Sequence, residues 1–231
     1  MTYYPGGKKY KGKEIANIIY EESTIFAEES DFKIKGYCEP FCGMMGVYRH
    51  IPKLFSQYKL KYKAGDRNNY LVKLWKAIQN GFDPPTTCSK NMYYKMKTSN
   101  DQSLNAIFLG FACSIRGIFR GTFFPPNNVK HQAIQMKEIG KEIIDVNIKG
   151  CDYTKFSNLS GYIIYCDPPY KNTGNVYSIE DKYDSDFDYS KFTDWCINMS
   201  KNNIIFISEY KKPCKEAVLV WKRDKERLYI L

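Results

Sequence analysis

An α/β protein with a doubly wound, mostly parallel sheet is predicted by three observations. Apolar runs of strand length alternate with segments of helical periodicity near both ends of the chain, a glycine-rich turn follows the first run, and acids stand at the ends of two later runs. Lys33–Glu39 reads as the first strand, leading into the Gly43/Gly46 turn, and Val47–Tyr58 resumes helical spacing through Val47, Ile51 and Leu54/Phe55. Strand, glycine turn, helix is the order suited to a nucleotide-type cofactor. Before it, Glu14–Glu28 predicts an amphipathic helix. After it, Leu60–Ala64 is a second strand ending in Asp66, and Tyr70–Ile78 is a helix with Leu71, Leu74, Trp75 and Ile78 on one face. From Gly81 the pattern breaks up around Pro84-Pro85 and Pro125-Pro126, with Ile107–Ala112 as the tail of a helix. Regular alternation returns at Asp145–Ile148 and Tyr162–Cys166, then a helix over Tyr189–Met199, a strand over Asn203–Ser208, and a closing pair at Ala217–Trp221 and Arg227–Leu231.

With 231 residues, 43% of them hydrophobic, the chain can bury a single core. No apolar stretch approaches the roughly 20 residues that span a bilayer, and the N-terminus lacks a signal-peptide pattern, so a cytoplasmic protein is expected, or one of host cytoplasm or virion if the source is viral. The eight cysteines include no C-x-x-C pair and there are two histidines, so reduced thiols and no metal are expected. The net charge of +10 is unevenly spread. Residues 1–80 hold 14 Lys/Arg against 8 Asp/Glu, residues 81–150 hold 9 against 5, and residues 151–231 hold 12 against 12. A basic surface confined to the first two-thirds suits a phosphate-backbone partner.

The chemistry concentrates in Asp167-Pro168-Pro169-Tyr170, directly after the apolar run Gly161–Cys166. An exocyclic amine on an aromatic ring is a poor nucleophile, because its lone pair is delocalised; acceptors for its two protons draw that pair out of conjugation. Asp167 supplies a carboxylate. Pro168 supplies a carbonyl on a backbone whose φ the proline rings hold fixed, and Tyr170 supplies a ring on which a base stacks.

Three further stretches share an order with this one. They are Tyr4-Pro5-Gly6-Gly7-Lys8, Glu39-Pro40-Phe41-Cys42-Gly43-Met44-Met45-Gly46 and Asp66-Arg67-Asn68. Together the four resemble the motifs of the S-adenosylmethionine (SAM)-dependent DNA adenine-N6 methyltransferases of the Dam-like class (the D12 class, with α motif order). The resemblance implies a Rossmann-like methyltransferase sheet with a reversed C-terminal β-hairpin and a small inserted target-recognition region. It implies a SAM-binding half at 1–80, the insert at 81–150 and a catalytic half at 151–231. It also implies cofactor contacts from Tyr4, Gly7, Lys8, Glu39, Phe41, Gly43, Asp66 and Asp167, with Lys8 on the methionine carboxylate and Asp66 on the ribose hydroxyls. Catalysis falls to Asp167, Pro168, Pro169 and Tyr170. The partners implied are double-stranded DNA, from which an adenine is flipped, and a cognate restriction endonuclease.

The glycine loop departs from that class, with Met45 where a second glycine is usual and Gly46 one residue late. In the insert, Lys95, Lys97, Arg116 and Arg120 are interleaved with aromatics and are the candidate DNA contacts, the two arginines suited to bidentate phosphate or guanine contacts. Cytosine-N4 methylation and a catalytically silent DNA-binding subunit are the alternatives. The first is disfavoured by Tyr170, and the second is motivated by Met45.

Overall fold

The computed structural model describes residues 7–124, 129–170 and 187–231. Seven strands form one sheet in the order β3-β2-β1-β4-β5-β7-β6. They are β1 Gly36–Glu39, β2 Lys61–Asp66, β3 Asn147–Gly150, β4 Tyr162–Cys166, β5 Ile204–Glu209, β6 Val218–Arg223 and β7 Glu226–Ile230. The first five are parallel, while β7 runs antiparallel to both β5 and β6, so the expected reversed hairpin closes the sheet. The chain works outward from β1 through β2 to β3, then returns to lay β4 on the other side of β1. The crevice between β1 and β4 is therefore the switch point of the topology, where an open α/β sheet offers its ligand site.

Central parallel strands carry helices or loops on both faces and so read as unbroken apolar runs. All residues of β1, β4 and β5 are buried. Alternate side chains divide between two cores. Tyr37, Ile163, Tyr165, Ile204 and Phe206 face one core, which also receives α1 (Gly12–Ser30) and α3 (Asn69–Gln79). Cys38, Ile164, Cys166, Ile205 and Ile207 face the other, against Phe192, Trp195 and Cys196 of α7 (Tyr189–Ser200). All eight thiols are free, as compositional reading expected.

Helix starts follow local capping chemistry. Asn68 accepts from the backbone N–H groups of Tyr70 and Leu71 at the head of α3, and Asp188 accepts from Lys191 at the head of α7. The long helix foreseen at Val47–Tyr58 is shorter. A 3₁₀ turn at Tyr48–His50 runs into one α-turn, α2 (Ile51–Leu54), with Pro52 in its first turn. Two helices within the segment read as irregular, α4 (Lys90–Thr98) and α5 (Leu104–Ala112), start on Ser89 and Ser103 caps. A third, α6 (Val129–Glu142), leads to the edge strand β3. The stretch 81–150 therefore supplies a strand of the main sheet, and its Tyr93, Phe108 and Phe119 lie in the same core as α1 and α3.

Candidate functional site: a buried charge cluster at the switch point

The glycine loop after β1 is tied to the end of β2. Cys42 N–H donates to the Gly65 carbonyl (2.9 Å), Gly43 N–H donates to Asp66 Oδ2 (2.9 Å), and Trp75 Nε1 donates to the Gly43 carbonyl (2.9 Å). Asp66 also accepts from Asn68 N–H on Oδ1 (2.8 Å). Burial, only partly offset by these two backbone donors, pushes its carboxyl up to about 6.

Gly43 and Met45 both take left-handed backbone, at φ 45° and 57°. The conformation that favours glycine thus falls on Met45, whose side chain is fully buried, and Gly46 does not relieve it. Gly46 serves closeness instead: a Cβ there would come within 3.1–3.3 Å of Lys8 main chain and Cβ. This is how the Gly7-Lys8 segment is laid against the loop. The Lys8 carbonyl then accepts from Gly12 N–H (2.6 Å) at the start of α1.

Lys8 reaches across the switch point. Its Nζ lies 2.7 and 2.6 Å from the two oxygens of Asp167, 3.0 Å from Tyr170 OH and 3.0 Å from Glu226 Oε1. Tyr170 OH donates to Glu226 Oε1 (2.9 Å), and Glu226 Oε2 is 3.3 Å from Lys11 Nζ. Lys8, Tyr170 and Glu226 are 7, 9 and 8% exposed. Such a cluster holds only if its charges compensate one another. Burial opposes the charged form of Lys8, but Asp167 and Glu226 more than offset it and its ammonium is held above the ordinary range. Burial raises the Asp167 carboxyl despite Lys8, whereas for Glu226 burial is outweighed by Lys8, Tyr170 and Lys11 and the carboxyl is lowered. Glu226 is the more firmly ionised partner.

Among the expected site residues, Lys8, Asp167 and Tyr170 meet directly. Asp66 and Gly43 meet one another in the adjoining loop. Glu39, 2% exposed, accepts from Tyr37 OH (2.7 Å) and not from the loop backbone, and burial raises its carboxyl well above normal. Phe41 is stacked on Tyr153 at 5.6 Å and edge-on to Phe192 at 5.6 Å, forming an aromatic wall beside the loop. Tyr4 lies outside the described residues, as do all but the last two of residues 172–188, whose Gly-, Ser- and Asp-rich sequence suggests a flap near the base pocket. Two participants were missed: Glu226, and Tyr210, whose ring meets that of Tyr170 edge-on at 4.5 Å.

The candidate DNA contacts separate. Lys95 and Arg116 are exposed, and Arg116 sits at φ 54° in a tight turn. Lys97 donates to the Gly121 carbonyl (3.2 Å). Arg120 is 3% exposed, and its guanidinium is committed to Asn100 Oδ1 and the Asp101 carbonyl, with Phe119 5.0 Å beneath it. It is a strut inside the insert and not a free hand for phosphate, because its donors are already engaged by protein oxygens.

The parallel sheet with a reversed final strand, carrying an acid at the end of β2 and an acceptor-rich turn at the end of β4, defines a Rossmann-like methyltransferase fold. Residues 119–226, just under half of the chain, match the D12 class N6 adenine-specific DNA methyltransferase family. The matched segment includes Asp167–Tyr170 and ends on Glu226. Solved structures with a similar fold include the rRNA methyltransferase aviRa from Streptomyces viridochromogenes. One aviRa structure has a TM-score of 0.45 at 9% identity over 95% of this chain and 84% of that one, and a second has 0.39 at 9% over 86% and 76%. No curated protein matches. Among the described residues no helix is long and apolar enough to cross a membrane, and no cluster of His, Cys, Asp and Glu is arranged to hold a metal ion.

Proposed function

We propose that the chain transfers a methyl group from SAM to N6 of an adenine flipped out of duplex DNA. One observation carries this reading: Asp167, at the end of a fully buried central strand, places a carboxylate beside a Pro-Pro turn at the switch point, within a segment that matches the adenine-N6 class. The donor set fits the cofactor. Asp66 offers an acceptor for a diol and Phe41 with Tyr153 an apolar wall for a purine, whereas the Lys8 ammonium, expected on the methionine carboxylate, is engaged by Asp167, Tyr170 and Glu226. Bound SAM supplies an electrophilic methyl group on a sulfonium.

The protein's own part is positional. Asp167 accepts a hydrogen bond from one N–H of the target amine, the Pro168 carbonyl accepts one from the other, and alignment with fixed acceptors supplies the acceleration. Pro169 stiffens the turn. Tyr170 shows little of its ring in this conformation, so its hydroxyl link to Glu226 is as much a part of its role as stacking. The deciding experiment is methylation-aware sequencing of DNA from cells expressing the gene, together with methyl incorporation into a duplex by the purified protein. Absence of N6-methyladenine from both would refute the reading.

Asp66 binds the ribose as a carboxylate, and its carboxyl titrates near 6 in the free protein. The affinity for SAM, measured by calorimetric titration, should therefore be highest above pH 6 and fall as the pH drops through it. In Asp66→Asn the affinity should be weak and nearly flat with pH. A wild-type affinity unchanged between pH 7.5 and 5 would remove Asp66 from the site.

On the nucleic-acid side, Lys95 and Arg116 are the exposed candidates. Each phosphate neutralised contributes about −0.9 to the log–log slope of affinity against salt, so Lys95→Ala should lower that slope by about one and weaken all sequences alike. Arg116→Ala, if the residue reads a base edge, costs ~1–3 kcal/mol on the preferred site alone. An unchanged slope for the first and an unchanged site preference for the second would move recognition elsewhere in the insert.

A further inference from the structure

The sharing of one ammonium between two carboxylates is unusual for a site that needs one of them as a working acceptor. Lys8 has three N–H protons and four oxygens within 3.0 Å, two of them on Asp167. In this arrangement both oxygens of the acceptor that the target amine requires are engaged by a full positive charge. Lys8 is 7% exposed and cannot withdraw into water without a large rearrangement. It needs a second anion within reach, and β7 provides one.

Resting on the methyl-transfer reading above, we propose that Glu226 is a positioning residue: it is the alternate acceptor onto which Lys8 moves, freeing Asp167 for the target amine. Glu226 Oε1 is 3.0 Å from Lys8 Nζ, so the transfer is a change of weighting within contacts that already exist. Tyr170 OH, donating to the same oxygen at 2.9 Å, ties the shift to the ring expected against the base. Lys11, 3.3 Å from Oε2, keeps Glu226 ionised throughout. The hairpin thereby has a task in the chemistry although it lies beyond the strands that carry the motifs.

The groups facing Asp167 are Lys8 from the N-terminal segment, Glu226 from β7, Tyr170 from its own turn, Tyr165 of β4 and Glu39 of β1. Those facing Glu226 are Lys8, Lys11, Tyr170, Asp167 and Tyr165. In Glu226→Gln the amide oxygen still accepts from Tyr170, but the charge is gone and Lys8 is left wholly to Asp167. Two readouts test this. Without any ligand, the Asp167 carboxyl followed by carbon-13 NMR should titrate at lower pH in Glu226→Gln than in wild type, since a nearby negative charge has been removed and the ammonium is no longer shared. In turnover, kcat should fall at least ~10-fold, as for a lost preorganised contact, with its acid limb displaced to lower pH and the Kd for SAM within about threefold. Glu226→Asp, which keeps the charge, should recover most of kcat.

An Asp167 titration that does not move overturns the proposal. So does a parallel loss of kcat, SAM affinity and unfolding midpoint in both variants, which would make Glu226 a structural ion pair. If wild type transfers no methyl group to duplex DNA, the functional reading fails, and the NMR titration alone then decides whether Lys8 is shared.

Discussion

Asp167→Ala should reduce methyl transfer by at least ~10²–10³-fold, the typical effect of removing one preorganised electrostatic contact in a site shielded from water. The fold should survive, because Lys8 keeps Glu226 at 3.0 Å and is not left as an unpaired buried charge. Duplex affinity, measured without cofactor, should change little. A variant that retains more than about a tenth of wild-type turnover would remove Asp167 from the reaction and with it the reading of the whole turn.

Lys8→Met should have the larger effect on the protein itself. It strips the cation from Asp167 and leaves Glu226 with Lys11 and the Tyr170 hydroxyl. Breaking a buried pair by deleting one partner typically costs ~3–5 kcal/mol, and the cost here depends on pH. Burial already holds the Asp167 carboxyl above its ordinary value, and Lys8 is the main influence pulling it down; without Lys8 it rises further. A carboxyl raised in the fold favours the native state at pH below its unfolded value of about 4, and that contribution is lost as the pH rises through the folded value. The deficit of Lys8→Met should therefore be greatest at neutral pH and shrink on acidification. The difference in thermal midpoint from wild type should narrow between pH 7.5 and 5. A constant difference across that range would mean that Asp167 does not depend on Lys8 for its charge.

The sheet was legible in the sequence wherever a strand is buried on both faces. Tyr162–Cys166 and Ile204–Glu209 are continuous apolar runs because each side chain meets one of two cores, and such runs need no alignment to be seen. The edge strand β3 was harder, since only Ile148 of its four residues is buried. Helices α4 and α6 were missed because their apolar stripes are thin: α4 buries Tyr93 alone, and Gln132, Ala133 and Gly140 dilute that of α6. Within the site, the tetrapeptide and Lys8 announced themselves through residue type and order. Glu226 did not. It is one acid in a charged turn, and its meaning comes only from the strand pairing that sets β7 against β5 and carries its first residue to a lysine 218 positions earlier (226 − 8). Arg120 misled for a related reason: its place among aromatics in a basic segment suggested a phosphate or guanine contact, whereas Phe119 and Arg120 fold back over α5.

Met45 sets how the cofactor loop can move. A loop with glycine in the left-handed position can open alone, since no side chain has to leave the interior. Here that residue is also a fully buried core side chain, so opening the loop means pulling Met45 out of contact with the interior of the main core. The loop and that core are therefore expected to open as one unit, and the amides of Gly43–Val47 should exchange only with unfolding of the whole. Whatever binds at this loop meets a surface whose order is already set by the fold, and the protein gives up little conformational freedom to receive it.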